Sequence, residues 1–439
     1  MSLLTSTEAD LALWPDSARL TADGDVRVGG VPLTSAAERY GTPLYVLDED
    51  QARARARAYR AAFPDAGVHY AAKAFLCRAL VRWLDEEGIG LDVCSAGELE
   101  LAVATGFPAD RVLLHGNAKS PRDLASALRL GVGRIVLDSV GEITRLAALV
   151  PPGERQRVLV RVVPGISAGH HDKVRTGDED QKFGLSLTDG SAQHAVARVL
   201  ATPRLELTGL HCHIGSQIAE VKPYLAAQRR LLGLRARIAE TYGVVLPEID
   251  LGGGHAVAQR PGERGIDLTD LARRLRAELA ESCRAAGLPE PRLLLEPGRA
   301  LVARAGVAVY RVLAVKRTAH RVFVAVDGGM GDNPRPALYG APCVPRLVGR
   351  VSTAAPHPVD LVGRHCEAGD VLAPAVPLPA DIRPGDLVAT PVAGAYQLSM
   401  ASAYNLHGRP PLIAIREGTP RLLIRREEPD DLWLRDLGG

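Results

Sequence analysis

Between residues 66 and about 300 one pattern recurs eight times: a short β-rich apolar run, then a stretch with helical apolar periodicity. The runs are VHYAAKA (68–74), LDVCS (91–95), RVLLHG (111–116), RIVLDS (134–139), VLVRVVP (158–164), LELTGLHCHIG (205–215), PEIDLGGG (247–254) and RLLLEPG (292–298). Helical stretches such as GELELAVATG, PRDLASALRLG and LAAQRRLLGLRARIAETYG lie between them. Such alternation builds a parallel sheet, because parallel strands need a crossover and a helix supplies it. Eight units over about 250 residues match a (β/α)8 TIM barrel, an α/β fold.

The polar residues of these runs gather at one end. Lys73, Asp92, His115 with Asn117, Asp138, Arg161, His213, Gly252 to Gly254 and Glu296 fall at or just past the C-terminal end of their run. In a barrel those ends converge on one mouth, where active sites are built. Lys73, in HYAAKAF, is the sharpest case. A buried ammonium is costly unless it is paired or used as an amine, and taken alone this one reads as a strand-end lysine reaching water. Eight strands delivering polar groups to one rim turn the reading towards chemistry.

After residue 305 helical periodicity gives way to VAVYRVLAVKR, HRVFVAVDGG, PRLVGRV, DLVGRHC, PLIAIR and RLLIRR, separated by Pro and Gly turns. This predicts a C-terminal β-sandwich or β-barrel domain. The first 40 residues, with DVRVGGVPL, lack a core of their own and are expected to complete it. The expected division is 1–45, an N-terminal segment joining the β-domain, 46–304, the barrel, and 305–439, the β-domain. QARARARAYRAAF (51–63) reads as a solvated basic helix before the first barrel strand.

Composition narrows the partners. The chain has 53 basic and 51 acidic residues, a net charge of +2, which leaves no footprint for nucleic acid or an anionic membrane. No apolar run of about 18 residues appears, so no membrane span is expected. MSLLTSTEAD lacks the basic stretch and apolar core of a secretory signal, and a cytoplasmic protein is expected. Six scattered cysteines without a CxxC pair indicate neither zinc nor disulfides; Cys94 and Cys212 read as core. His211 and His213 share a strand face, but two ligands rarely make a site, so no metal is expected.

A lysine, a glycine cluster and a glutamate at one mouth have a joint use. LGGGHA at a strand end exposes backbone N–H groups to a phosphate, and Gly215 with Ser216 in HIGSQ and Gly298 in EPGR add two more such turns. A lysine amine beside a phosphate site points to pyridoxal phosphate, held as a Schiff base whose ring acts as an electron sink. A protonated pyridine nitrogen needs a carboxylate, which Glu296 supplies in a charge-assisted bond of roughly 1.5–3 kcal/mol. His213 fits a ring face without invoking a metal.

YAAKAF, LDVCSAGEL, HGNAKS, EDQKFGLS, GLHCHIGSQ, DLGGG, EPGR, DNPRPALYGA, HCEAGD and GAYQLSMASAYN occur in this order over residues 40 to 415. In them the chain resembles the diaminopimelate decarboxylases, of the alanine-racemase-like, fold type III class of pyridoxal-phosphate enzymes. The resemblance implies that Lys73 carries the cofactor, His213 stacks on its ring and Glu296 holds its pyridine nitrogen. It implies a phosphate site at Ser216, Gly252, Gly253, Gly254 and the turn of Pro297, Gly298 and Arg299, completed by Tyr396. Asp92 and Arg161 would tune the site by hydrogen bonds. Arg299, Arg335 and Tyr339 would bind the distal carboxylate of an amino-acid substrate, beside Tyr396. Glu367 would bind its distal ammonium, and Cys366 would be the general acid. The resemblance further implies a homodimer with active sites at the subunit interface, the cysteine loop entering from the opposite subunit.

Several positions depart from the commoner motif forms: Phe75, Ala118, His255, Ala256 and Ala368, with Gln397 beside Tyr396. None removes a group with an assigned role, although a bulky His255 stands beside the phosphate turn. The implied reaction is decarboxylation of meso-2,6-diaminopimelate to L-lysine, the last step of lysine biosynthesis. Its rivals are a decarboxylase of another acidic or carrier-bound amino acid in secondary metabolism, a racemase on the same fold, and a non-catalytic cofactor-binding paralogue.

Overall fold

A computed structural model describes residues 11–166 and 181–438. MSLLTSTEAD and the first two residues of EDQKFGLS lie outside them. The chain divides into two compact units, one of Ala56–Val257 and Arg264–Ala300, the other of Met1–Arg55, Ala258–Glu263 and Leu301–Gly439.

The first unit is a closed barrel of eight parallel strands: β1 Gly67–Ala71, β2 Gly90–Val93, β3 Val112–Leu114, β4 Arg134–Leu137, β5 Gln156–Val163, β6 Leu205–His211, β7 Glu248–Asp250 and β8 Arg292–Leu295. Each pairs with the next, and β8 closes onto β1 through Leu294↔Gly67 and Leu295↔Val68. Strands covered on both faces need apolar residues throughout, and β1, β2, β3 and β7 are buried at every position. The predicted helices appear as Ala96–Ala104, Pro121–Leu130 and Lys222–Tyr242. Serines at strand ends start several of them: Ser95 Oγ accepts the Glu98 N–H at 3.2 Å, and Ser120 forms a reciprocal capping box with Asp123. Glu98 and Glu142 reach back to the N–H groups of Cys94 (2.7 Å) and Asp138 (2.9 Å), tying helix starts to strand ends.

The sequence expectation needs three corrections here. Glu49–Ala62 is helical, but Ala52, Arg53, Ala56, Tyr59 and Phe63 are buried, so QARARARAYRAAF is amphipathic rather than solvated all round. Cys94, expected in the core, is exposed, while Cys212 is buried. Lys73 lies in no strand: β1 ends at Ala71, and Ala72–Ala74 form a single 3-10 turn.

The second unit is built on the strand Gly306–Arg317, which pairs antiparallel with Leu44–Asp48 and Leu387–Pro391 along its first half and with Val322–Val326 along its second. The sheet continues through Pro356–Val362 to Val371–Pro379 on one side and through Leu412–Arg416 to Thr419–Ile424 on the other. The N-terminal segment completes this unit in two ways. Leu44–Asp48 is a strand of the sheet, and DVRVGGVPL forms a separate small sheet whose Val26, Val28 and Val31 share a core with Val307, Val309, Ile413 and Ile415. Among the described residues no helix is long and apolar enough to cross a membrane.

Candidate active site

Leu113, Val136, Leu159 and Leu294 form one buried cluster. They come from β3, β4, β5 and β8, and β8 pairs with none of the other three, so they meet inside the barrel. Strand residues two apart share a face, so the next positions on that face are His115, Asp138, Arg161 and Glu296. All four are buried, and they make a polar layer on an apolar floor.

Within this layer the groups pair. Arg161 lies 3.6 Å from Asp138 Oδ2 and 4.4 Å above the Phe183 ring, while Asp138 Oδ1 accepts the Gly184 N–H at 2.8 Å. His115 Nε2 lies 2.5 Å from Glu296 Oε1 and 3.9 Å from Asp92 Oδ1, and His211 Nε2 lies 3.3 Å from Glu296 Oε2. Outside them Lys119, fully buried, meets Glu142 at 2.7 Å and the Gly116 and Val136 carbonyls at 2.7 Å.

Three of the buried carboxyls, Asp92, Asp250 and Glu296, differ in ionisation. Burial pushes Asp250 well above the usual carboxylate range, aided by neighbouring Glu296, and pushes Asp92 up to about 6 against the pull of His115. Glu296 goes the other way: burial would raise it, but His115 and His211 outweigh burial and hold it well below its usual value. Burial lowers His211 to about 4 and His69 to about 3. Glu296 is thus the carboxylate of this group that stays ionised most readily, which suits pairing with a protonated ring nitrogen.

Lys73 is exposed among buried Ala72, Ala74 and Phe75. Its charge acts on Asp92, Cys94 and His213, which belong to two other strands or their ends. Phe75 is buried, and its backbone carbonyl accepts the Tyr70 hydroxyl at 2.7 Å at the end of the lysine turn. Burial, then Lys73 and Arg161, keep half-buried His213 well below the usual histidine range, and its Nδ1 accepts the Gly253 N–H at 3.3 Å.

The glycine run brings neighbouring backbones together. A Cβ on Gly253 would stand 2.0 Å from the Glu296 carbonyl oxygen, and one on Gly254 2.1 Å from that of Gly215. The turns carrying Gly215 with Ser216, Gly252 to Gly254 and Glu296 with Pro297 are therefore in backbone contact, as a phosphate cradle requires. His255 is buried beside this run: Tyr59 Oη lies 2.8 Å from its Nδ1, and Tyr224 bonds the Gly253 carbonyl at 2.9 Å. With Lys73, ionised Glu296 and half-buried Ser216 around one rim, these residues fit pyridoxal phosphate. Arg299, half-buried, starts a four-residue helix directly after Gly298.

The remaining candidates lie in the second unit. The Arg335 guanidinium stands 5.7 Å from the Tyr339 ring centre and 5.5 Å from that of Tyr396. Tyr396 holds φ +58°, a strained value for a tyrosine. Cys366 and Glu367 are exposed on a turn whose backbone is pinned: Asn405 Oδ1 accepts the Cys366 N–H at 3.0 Å, and Asp370 accepts those of His365 (2.9 Å) and Met330 (2.6 Å).

The sequence reading gave no role to Asp250 or to the Lys119–Glu142 pair. Asp250 stands at the head of DLGGG, where an acid closing an apolar run is the available signal. Lys119 carried no signal beyond its place in HGNAKS.

Residues 49–303 match the family of pyridoxal-dependent decarboxylases, over the pyridoxal binding domain. A diaminopimelate decarboxylase of Actinosynnema pretiosum is 55% identical, covering 98% of this chain and 96% of that protein. That of Mycobacterium tuberculosis is 47% identical, covering 96% of each. The crystal structure of diaminopimelate decarboxylase from M. jannaschii in complex with L-lysine superimposes with a TM-score of 0.89 at 30% identity, covering 97% of this chain and 98% of that one.

Proposed function

We infer that this chain, which belongs to the diaminopimelate decarboxylase family of pyridoxal-dependent decarboxylases, removes one α-carboxylate of meso-2,6-diaminopimelate to give L-lysine and carbon dioxide. That reaction is the last step of lysine biosynthesis, and a cytoplasmic enzyme is its natural setting. The observation that carries the reading is a buried Glu296, held ionised by His115 and His211, on the rim that also holds Lys73 and the glycine run.

Pyridoxal phosphate, when bound, supplies the electron sink that takes up the bonding pair left by the departing carboxylate. Lys73 would hold it covalently and yield to the substrate amine. Glu296 would keep its pyridine nitrogen protonated, with His213 on a ring face and Asp92 and Arg161 adjusting charge below. Ser216, Gly252, Gly253, Gly254, Pro297, Gly298, Arg299 and Tyr396 would bind the phosphate. Cys366 would deliver a proton to the α-carbon.

Specificity lies at the far end of the substrate. Arg299 and Arg335, with Tyr339 and Tyr396, would bind the distal carboxylate, and Glu367 the distal ammonium. The clustering of Arg335 with both tyrosine rings supports this assignment. A substrate without the distal carboxylate leaves charged hydrogen bonds unmade, at about 1.5–3 kcal/mol each. The chain would act as a homodimer, residues 46–304 supplying the cofactor domain and 1–45 with 305–439 the β-domain, the Cys366 loop serving the opposite subunit.

Incubation of purified protein and pyridoxal phosphate with meso-diaminopimelate, ornithine, arginine and glutamate tests the reading by following carbon dioxide and amine product. Lysine and carbon dioxide from diaminopimelate alone are expected. Equal or faster release from another amino acid, or none from diaminopimelate, overturns it.

A further inference from the structure

Asp250 ends β7 and is fully buried. In register it stands beside His211 of β6 and Leu294 of β8, so Glu296, two residues beyond Leu294, shares its face of the sheet. One carboxyl oxygen is accounted for: Oδ1 accepts the Gly252 N–H at 2.8 Å. The other, Oδ2, is buried and receives no N–H or O–H from any described residue. The Asp250 side chain is in hydrogen-bond contact with the Glu296 carboxyl. Two carboxyls in contact away from water cannot both be ionised, so this pair shares a proton. The neighbours decide who keeps it. Glu296 has imidazole nitrogens at 2.5 and 3.3 Å, from His115 and His211, whereas Asp250 has no cation against it among the described residues.

We propose that Asp250 is a neutral carboxylic acid that donates its Oδ2 proton to Glu296 and so acts as the positioning residue of that carboxylate. It adds a hydrogen bond beneath Glu296 without adding negative charge, which an ionised aspartate there would do. Its Oδ1 meanwhile fixes Gly252, so one side chain ties the orientation of Glu296 to the start of the glycine run. The inference rests on reading Glu296 as the partner of the pyridine nitrogen, but the state of Asp250 is measurable independently of substrate.

The test uses the full-length, cofactor-loaded protein at neutral pH. Infrared difference spectra with 13C-labelled aspartate are expected to show the carbonyl band of a protonated carboxyl in wild type and its loss in Asp250→Asn. An amide keeps the neutral donor, so Asp250→Asn should hold pyridoxal phosphate within about threefold of wild type and keep its visible spectrum. Asp250→Ala, with no donor, should bind it about tenfold or more weakly, the scale of one buried hydrogen bond. Absence of the band in wild type overturns the inference even if the variants fail to fold. Equal impairment of folded Asp250→Asn and Asp250→Ala also overturns it. The band is expected whichever amino acid proves to be the substrate, so failure of the proposed activity leaves this result separately readable.

Discussion

Asp92, His115, Asp138, Arg161 and Glu296 are buried at the barrel mouth, whereas Cys366 and Glu367 stand in solvent on a turn of the second unit. At the mouth burial and close neighbours separate the carboxyls: Glu296 is held low by two histidines against the effect of burial, whereas burial pushes Asp250 high. On the turn the backbone is held through Asn405 and Asp370, Glu367 Oε1 accepts the Gly369 N–H at 3.1 Å, and the side chains of Cys366 and Glu367 remain exposed. The first arrangement suits a group that must hold one charge state throughout a cycle. The second suits a residue that must meet an incoming molecule.

The comparison can be broken or sharpened by substitution. The largest effect is expected at the mouth, where Lys73→Ala should take carbon dioxide release below detection and let the cofactor be lost on dialysis, read as loss of visible absorbance. Cys366→Ala should lower kcat by about 10²–10⁴-fold while leaving the visible spectrum unchanged. A spectral change there would erase the distinction between fixed and accessible groups. Arg335→Ala should reduce kcat/KM for diaminopimelate by about 10- to 100-fold, the scale of one lost charged hydrogen bond; unchanged kinetics would remove the arginine from the site. Gly253→Ala places a methyl against the Glu296 backbone and should destabilise the chain by about 1–3 kcal/mol in urea unfolding, together with weaker cofactor binding. Ala368→Ser, on the exposed turn, should change stability by no more than about 0.5 kcal/mol; a larger shift would show that the turn is as tightly built as the mouth.

The same contrast explains what could be read from the sequence. Barrel strands covered on both faces are near-continuous apolar runs, so their endings in Asp92, Asp138 or Glu296 stood out, and the rim followed. The ends themselves are less legible: Ala72 and Ala74 are as apolar as strand residues, so the sequence extends the strand over Lys73, although a 3-10 turn stands there. Val371–Pro379 is hidden for the opposite reason. VLAPAVPLP has three prolines, which read as a loop, yet it is an edge strand, where missing N–H donors are tolerated. Asp250 does not stand out because its significance depends on Glu296, 46 positions away in sequence and one strand away in space. The Arg335, Tyr339 and Tyr396 cluster was legible only through family resemblance, since nothing periodic links those positions.

The floor of Leu113, Val136, Leu159 and Leu294 has a consequence for proton traffic. Its leucine and valine side chains offer a proton no stepping stone, and the titratable group beside them is buried His69, whose ring crowds Gly67 together with Leu294. A proton that enters or leaves the histidine and carboxyl layer therefore has the mouth or this imidazole to travel by, and His69, acted on by Glu296 and His115 from one side and by Arg134 and Arg292 from the other, is the gate of the second route.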